Sequence, residues 1–170
     1  MSETRERIAD HVRESPGVHF RGLVRALDLA PGQVQYHLRR LREADRVVRE
    51  EVAGRTHFFD PGYESRERRQ IAVLRRETAR DVVALLAARE PLAPATVADR
   101  LDIARSTLEF HLDRLTAVDL VTKSYDAEGR VTLALADHET VAHLLDALQP
   151  SLPERLTDRF TRLVDGLLAD

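Results

Sequence analysis

Residues 27–47 read LDLAPGQVQYHLRRLREADRV, and residues 101–121 read LDIARSTLEFHLDRLTAVDLV. A shift of 74 residues aligns them without a gap, and nine positions are identical: Leu27, Asp28, Ala30, His37, Leu38, Arg40, Leu41, Asp45 and Val47 recur as Leu101, Asp102, Ala104, His111, Leu112, Arg114, Leu115, Asp119 and Val121. Leu29, Val34 and Tyr36 recur conservatively as Ile103, Leu108 and Phe110. The match continues loosely upstream, where Ile8 and Val12 meet Val82 and Leu86. Downstream it reaches Gly54-Arg55 and Gly129-Arg130 after one inserted residue. The chain of 170 residues is a duplicated module of roughly 60, and two small cores suit that length.

Each copy reads the same way. In the first, Ile8, Ala9 and Val12, then Leu23, Val24 and Leu27, have helical spacing, with Ser15-Pro16-Gly17 as punctuation between them. A turn at Asp28-Leu29-Ala30 leads to Pro31, which suits the first position of a helix because its missing N–H would be unpaired there anyway. Val34, Leu38 and Leu41 form the inward stripe of that third helix, to about Ala44. Strands at 47–52 and 56–59 then flank Ala53-Gly54-Arg55, a hairpin with a glycine turn. Three helices and a hairpin make a winged helix. The second copy predicts helices near 78–89, 94–102 and 105–118 and strands near 120–126 and 130–136.

The expected fold is mainly α with small β wings: module 1 over 1–62, a helical linker over 63–77, module 2 over 78–137 and C-terminal helices over 138–170. Tyr63 to Arg89 holds no Gly or Pro and allows one long bridging helix, with Arg66, Arg68, Arg69, Arg75, Arg76 and Arg80 as a solvated charge run. Asp137 is placed to cap a helix to about Leu148. A last helix puts Leu156, Phe160, Leu163, Val164 and Leu167 on one face, a stripe that suits dimerisation.

Composition narrows the function. The chain has no cysteine, which removes disulfides, thiolate metal sites and cysteine nucleophiles. No run of about 18 apolar residues occurs, and MSETRERIADH lacks a secretory h-region, so a cytoplasmic protein without a membrane partner is expected. The net charge is -3, yet the first 90 residues hold 18 basic against 15 acidic side chains and the last 80 hold 8 against 14. Lys123 is the one lysine, a bias shared by GC-rich coding and by salt-adapted proteomes.

A helix presented outward fits the major groove, about 12 Å wide, with its first residues at base edges. In module 1 the outward residues are Gln33, Gln35, Tyr36, Arg39 and Arg40, with Arg42 further along, and no acid intervenes between Leu29 and Arg42. Glutamine and arginine read base edges, and arginine neutralises phosphate. Arg55 at the wing tip, with His57 beside it, is placed for the backbone or minor groove. Module 2 offers Arg105, Ser106, Thr107 and Arg130 but sets Glu109 and Asp113 where Gln35 and Arg39 stand. Module 1 is therefore the expected reader. The plain alternatives are a protein-binding helix face and an ordinary solvated turn arginine.

His37 and His111 each sit beside an inward leucine and read as structural. His138, Glu139, His143 and Asp146 are too loosely spaced for a metal site, so no metal or cofactor is expected. No phosphate-binding glycine loop, nucleophile elbow or HExxH motif occurs, and no enzyme is expected.

The stretch His19-Phe20-Arg21-Gly22-Leu23 through Leu29 to Leu41, and again Ile103 through Leu115, resembles the archaeal winged-helix transcription regulators related to the ArsR and MarR groups. That resemblance implies sequence-specific binding of double-stranded DNA as a homodimer, with repression by blocking the transcription machinery or activation by recruiting it. By matched position it implies Gly32, Gln33, Gln35, Tyr36 and Arg39 as DNA contacts. The cysteine metal-sensor motif of some ArsR members is absent here. Two other readings stay open: a winged-helix interaction scaffold in a transcription or chromosome-segregation complex, and a one-component ligand or metal sensor.

Overall fold

The computed structural model describes residues 2–88 and 91–152, and the chain divides into two compact units, residues 1–72 and 73–170. In the first unit α1 (Glu3–Glu14) buries Ile8, Ala9 and Val12. The chain turns at Gly17, φ +81°, a left-handed residue that costs glycine nothing. Then follow β1 (Val18–His19), α2 (Phe20–Leu27), α3 (Pro31–Glu43), β2 (Val48–Val52) and β3 (Arg55–Phe59). Val34, Leu38 and Leu41 of α3 join Ile8, Val12, Leu23, Val47 and Phe58 in one core. The Arg46 guanidinium holds both carboxylate oxygens of Glu6, at 2.6 and 2.8 Å, tying the exit of α3 to α1. That ion pair keeps the Glu6 carboxyl below the ordinary carboxylate range.

The aspartates repeated in the sequence have a conformational reason. Asp28, Asp45, Asp102 and Asp119 all adopt positive φ, between +51° and +58°, the left-handed region in which short polar side chains are tolerated. After α3 the Arg46 N–H donates to Leu41 O and the Asp45 N–H to Arg42 O. After α7 (Arg105–Ala117) the Leu120 N–H donates to Leu115 O and the Asp119 N–H to Thr116 O. Both helices thus end in the Schellman motif, in which a left-handed residue satisfies the last carbonyls and reverses the chain.

The hairpin runs from Val48 opposite Phe59 to Val52 opposite Arg55. Ala53 at φ +50° and Gly54 at φ +77° close it, as a two-residue turn that matches strand twist requires. The sheet has a third strand that the sequence reading lacked. Its order is β1-β3-β2, with Val18 opposite Phe58 and His19 opposite His57, so β3 is central.

The second unit repeats this plan with α5 (Glu77–Ala88), α6 (Pro94–Leu101), α7, β4 (Val121–Tyr125) and β5 (Val131–Leu135). Even the short β1 has its counterpart: Leu92, 74 residues beyond Val18, exchanges both backbone hydrogen bonds with Leu133, at 3.0 and 2.7 Å. The α8 helix (His138–Leu148) starts at Asp137, whose carboxylate accepts from the Glu139 N–H at 3.1 Å and the Thr140 hydroxyl at 2.7 Å. The expected stripe from Leu156 to Leu167 lies outside the described residues.

The single helix allowed over 63–89 is in fact two, α4 (Ser65–Leu74) and α5, separated at Arg75-Arg76. A buried side chain makes the break: Arg80 Nη1 donates to Leu74 O at 2.9 Å and to Arg75 O at 2.7 Å, capping the carbonyl end of α4. Of the expected solvated charge run Arg66 and Arg69 are exposed, whereas Arg68, Arg75 and Arg80 are built into the fold. Arg68 pairs with Glu50 at 2.9 Å and donates to Tyr63 O. Arg75 donates to Ser151 Oγ at 3.1 Å; burial, then the neighbouring charge of Arg80, lowers its pKa to about 10. Among the described residues no helix is long and apolar enough to cross a membrane.

Leu41 is fully buried, so Leu41→Ala should cost about 2–5 kcal/mol of stability through lost burial and a residual cavity. Urea denaturation followed by circular dichroism checks this, and a loss under about 1 kcal/mol would contradict the core described above.

Candidate nucleic-acid interface

A helix of 13 residues that buries Val34, Leu38 and Leu41 must turn the remaining faces of its 3.6-residue period outward. On α3 those faces carry Gly32, Gln33, Gln35, Tyr36, Arg39 and Arg40, all exposed. Beside them a cleft of about 470 Å³ is bordered by Gly32, Gln35, Tyr36 and Arg39 of α3, by Arg42 in its last turn, and by Arg49 of β2. Phe20, Leu38 and Phe58 form its apolar floor, and no carboxylate lines it. The Arg39 guanidinium lies 5.9 Å from the Tyr36 ring centroid.

The predicted residues differ in how free they are. Gln33 uses its side-chain oxygen to accept from the Ala30 N–H at 3.3 Å, capping α3, so its amide N–H2 is the group left for a ligand. Arg40 is paired with Glu43 at 3.0 Å. Gly32 has open space around the position of a Cβ, so the fold does not demand a glycine there. Arg55 is exposed at the start of β3.

His57 does not join Arg55 at the surface, contrary to the sequence expectation. It is 6% exposed and its Nδ1 lies 2.8 Å from Gly17 O. The central position of β3 explains this, since β1 covers the edge that a two-stranded wing would have left open. Sequence reasoning missed Arg49 altogether. Its signal was register: Arg49 stands opposite Phe58 on the strand pair that faces α3.

Module 2 has the same scaffold with a different surface. Arg105, Ser106 and Thr107 are exposed at the start of α7. Glu109 then takes up the local positive charge, 3.1 Å from Lys123 Nζ and 3.7 Å from Arg105 Nη2. Phe110 is 42% exposed, with the Arg114 guanidinium 3.5 Å and that of Arg76 5.8 Å from its ring centroid. At the second wing tip Arg130 is held by Asp126 at 2.8 Å and Glu128 at 3.2 Å. Hydrogen bonds from Arg130, its backbone N–H foremost, hold the Asp126 carboxyl below its ordinary range.

The paired histidines are built into the helices. His37 packs edge-on to Tyr36 and His111 edge-on to Phe110, each with ring centroids 5.1 Å apart. Among the described residues no three His, Asp or Glu side chains converge as metal ligands do, and this includes the α8 cluster of His138, Glu139, His143 and Asp146.

Residues 2–71 match the family model of an N-terminal helix-turn-helix domain, and residues 74–124 match that of a helix-turn-helix domain. No curated protein matches the chain.

Burial, then the charges of Arg76 and Arg114, push the His111 pKa below its ordinary 6.5. Below that value the unfolded chain takes up a proton that the folded one refuses, so stability is lost as pH falls. Chemical denaturation at pH 8 and pH 5 should show a larger loss for wild type than for His111→Leu. Equal losses would mean that His111 is not held neutral by its surroundings. Duplicated sequence, repeated geometry and family matches agree that this chain is a tandem of two helix-turn-helix domains, the build of a DNA-binding regulator.

Proposed function

We propose that the protein reads specific double-stranded DNA sequences through α3 of module 1 and regulates transcription as a homodimer. The observation that carries this reading is the cleft beside α3, where Arg39, Arg42 and Arg49 gather with Gln35 and Tyr36 and no carboxylate intrudes. Uncompensated guanidinium groups beside an exposed amide are what a phosphate backbone next to a base edge requires. Gln35 is the specificity residue, since its amide oxygen can accept from adenine N6–H while its N–H donates to adenine N7. Arg39 and Arg42 neutralise phosphate, with Tyr36 and the Gln33 amide alongside. The open space at Gly32 lets the helix backbone approach the duplex closely. A twofold dimer would set two copies of α3 on half-sites one helical turn, about 34–36 Å, apart; the C-terminal segment from residue 138 onward is its proposed contact.

Module 2 is proposed to contribute little to DNA affinity. Its Arg105 and Lys123 already hold Glu109, and its wing arginine holds Asp126 and Glu128. A phosphate would have to displace a carboxylate that costs nothing to recruit. That satisfied surface favours a protein-contact role for this half of the chain.

Fluorescence anisotropy against the duplex upstream of its own gene and a scrambled duplex, across a salt series, tests the assignment. Gln35→Ala should reduce the preference between duplexes by about 1–3 kcal/mol. Arg39→Ala should weaken both and lower the salt slope by about one. Binding that ignores both substitutions would refute the reading. In the same assay Glu109→Gln frees Arg105 and Lys123 and should tighten binding to both duplexes by a few-fold, with a steeper salt slope; an unchanged slope would mean that α7 stays clear of DNA.

A further inference from the structure

Two preferences conflict at the junction between α4 and α5. Residues 64–88 contain no glycine or proline, and the break falls on Arg75 and Arg76, a residue type that favours helix. Local preference therefore asks for one helix. The repeat asks for two: α5 (Glu77–Ala88) lies 74 residues beyond α1 (Glu3–Glu14) at both ends, so module 2 starts its first helix where module 1 does.

Arg80 decides between them. It stands at the repeat position of Glu6, and Leu120 stands at that of Arg46, so the ion pair that ties α1 to the exit of α3 is not repeated at these positions. The Arg80 guanidinium instead reaches back to α4, where Nη1 donates to Leu74 O at 2.9 Å and to Arg75 O at 2.7 Å. Those are the carbonyls that the Thr78 and Ala79 N–H groups would take in an unbroken helix. The Arg80 N–H meanwhile donates to Arg76 O at 3.1 Å and opens the ladder of α5. Side chain and ladder compete for the same two acceptors.

The broken form carries unfavourable features. Arg80 is 3% exposed, and its Nη2 has no hydrogen-bond partner, a condition that buried polar groups seldom show. Burial pushes its pKa below the ordinary arginine value, against the carboxylates of Asp81 and Glu77. The junction also touches α7: the Arg76 guanidinium lies 5.8 Å from the Phe110 ring centroid, and its charge acts on His111 together with that of Arg114. All of these residues belong to the second unit.

We propose that the α4–α5 junction is a two-state latch, in which Arg80 holds residues 65–88 as two helices and its release joins them into one and draws Arg76 away from α7. Closing the ladder winds the two residues at the break into helix, which moves the Arg76 side chain off Phe110. A minor joined state of about 0.1–10% makes such an element responsive to a partner. By reciprocity, a partner that engages Phe110 and displaces Arg76 favours the joined helix.

The test follows the full chain by NMR. In wild type, relaxation dispersion at the Arg75 and Arg76 amides should report exchange with a minor state whose Cα shifts are helical. Arg80→Met keeps an apolar stem without the donors. It should make that state dominant, with helical Cα shifts at both residues and a His111 pKa that rises towards 6.5 as the Arg76 charge leaves. Glu77→Pro sets proline at the first position of α5, which the two-helix form accepts and a single helix excludes. It should abolish the exchange in the otherwise wild-type chain and restore the break in the Arg80→Met background. Wild type without exchange overturns the latch, as does an Arg80→Met variant that keeps the break. A joined helix with His111 unmoved overturns the link to α7. Where Arg80→Met does not fold, wild type and Glu77→Pro decide alone, since exchange that survives the proline is not helix joining and overturns the proposal.

Discussion

Val34, Leu38 and Leu41 sit on one stripe of α3 and are all buried in the module's core, and a helix of 3.6 residues per turn leaves no freedom once such a stripe is committed. Gln35, Tyr36 and Arg39 face outward because those three face inward. The same commitment aims the chain at the end of the helix, where Asp45 in the left-handed region sends it back as β2 and brings Arg49 beside Arg42. The candidate interface is therefore a by-product of core packing, which orients the cations before any ligand is met. Because the helix and strand are already fixed, binding needs no rearrangement of the backbone that carries these side chains.

Much of this was legible in the linear sequence. The repeated aspartates, the apolar stripes and the glycine turn located the helices and hairpins to within a residue or two, since each reflects a local preference. What escaped were features made by partners distant in sequence. A strand of two residues, Val18–His19, is too short to show a period, and its absence from the reading put His57 at the surface instead of under β1. The break between α4 and α5 has no glycine or proline to announce it, because the interruption comes from the Arg80 side chain satisfying carbonyls five and six residues back. Arg49 was invisible as a site residue until strand register placed it against Phe58.

The two modules show how far a duplicated scaffold can be kept while its surface is rewritten. Backbone devices survived in both: left-handed aspartates, Schellman ends, and the bridge from Leu92 to Leu133 that repeats β1. The exposed charges did not. In module 2 a glutamate replaces Gln35 and collects Lys123 and Arg105, and an aromatic–guanidinium stack occupies the place of Tyr36. Divergence of this kind is cheap because surface substitutions seldom cost more than about 0.5 kcal/mol, whereas the buried positions admit few exchanges.

The short first strand has a consequence for how copies of the protein can meet. A bare hairpin has two open edges, each a row of unpaired amide groups ready to template another strand. With β1 along β3, the sheet of module 1 leaves one long edge, that of β2, and this strand carries Arg49, Glu50 and Glu51 in succession. Lys123 sits on the corresponding strand of module 2, whose partner β5 is bridged by Leu92. Charged edge strands of five residues are poor templates for edge-to-edge pairing, so the wings can stand out from the surface without inviting sheet extension or aggregation.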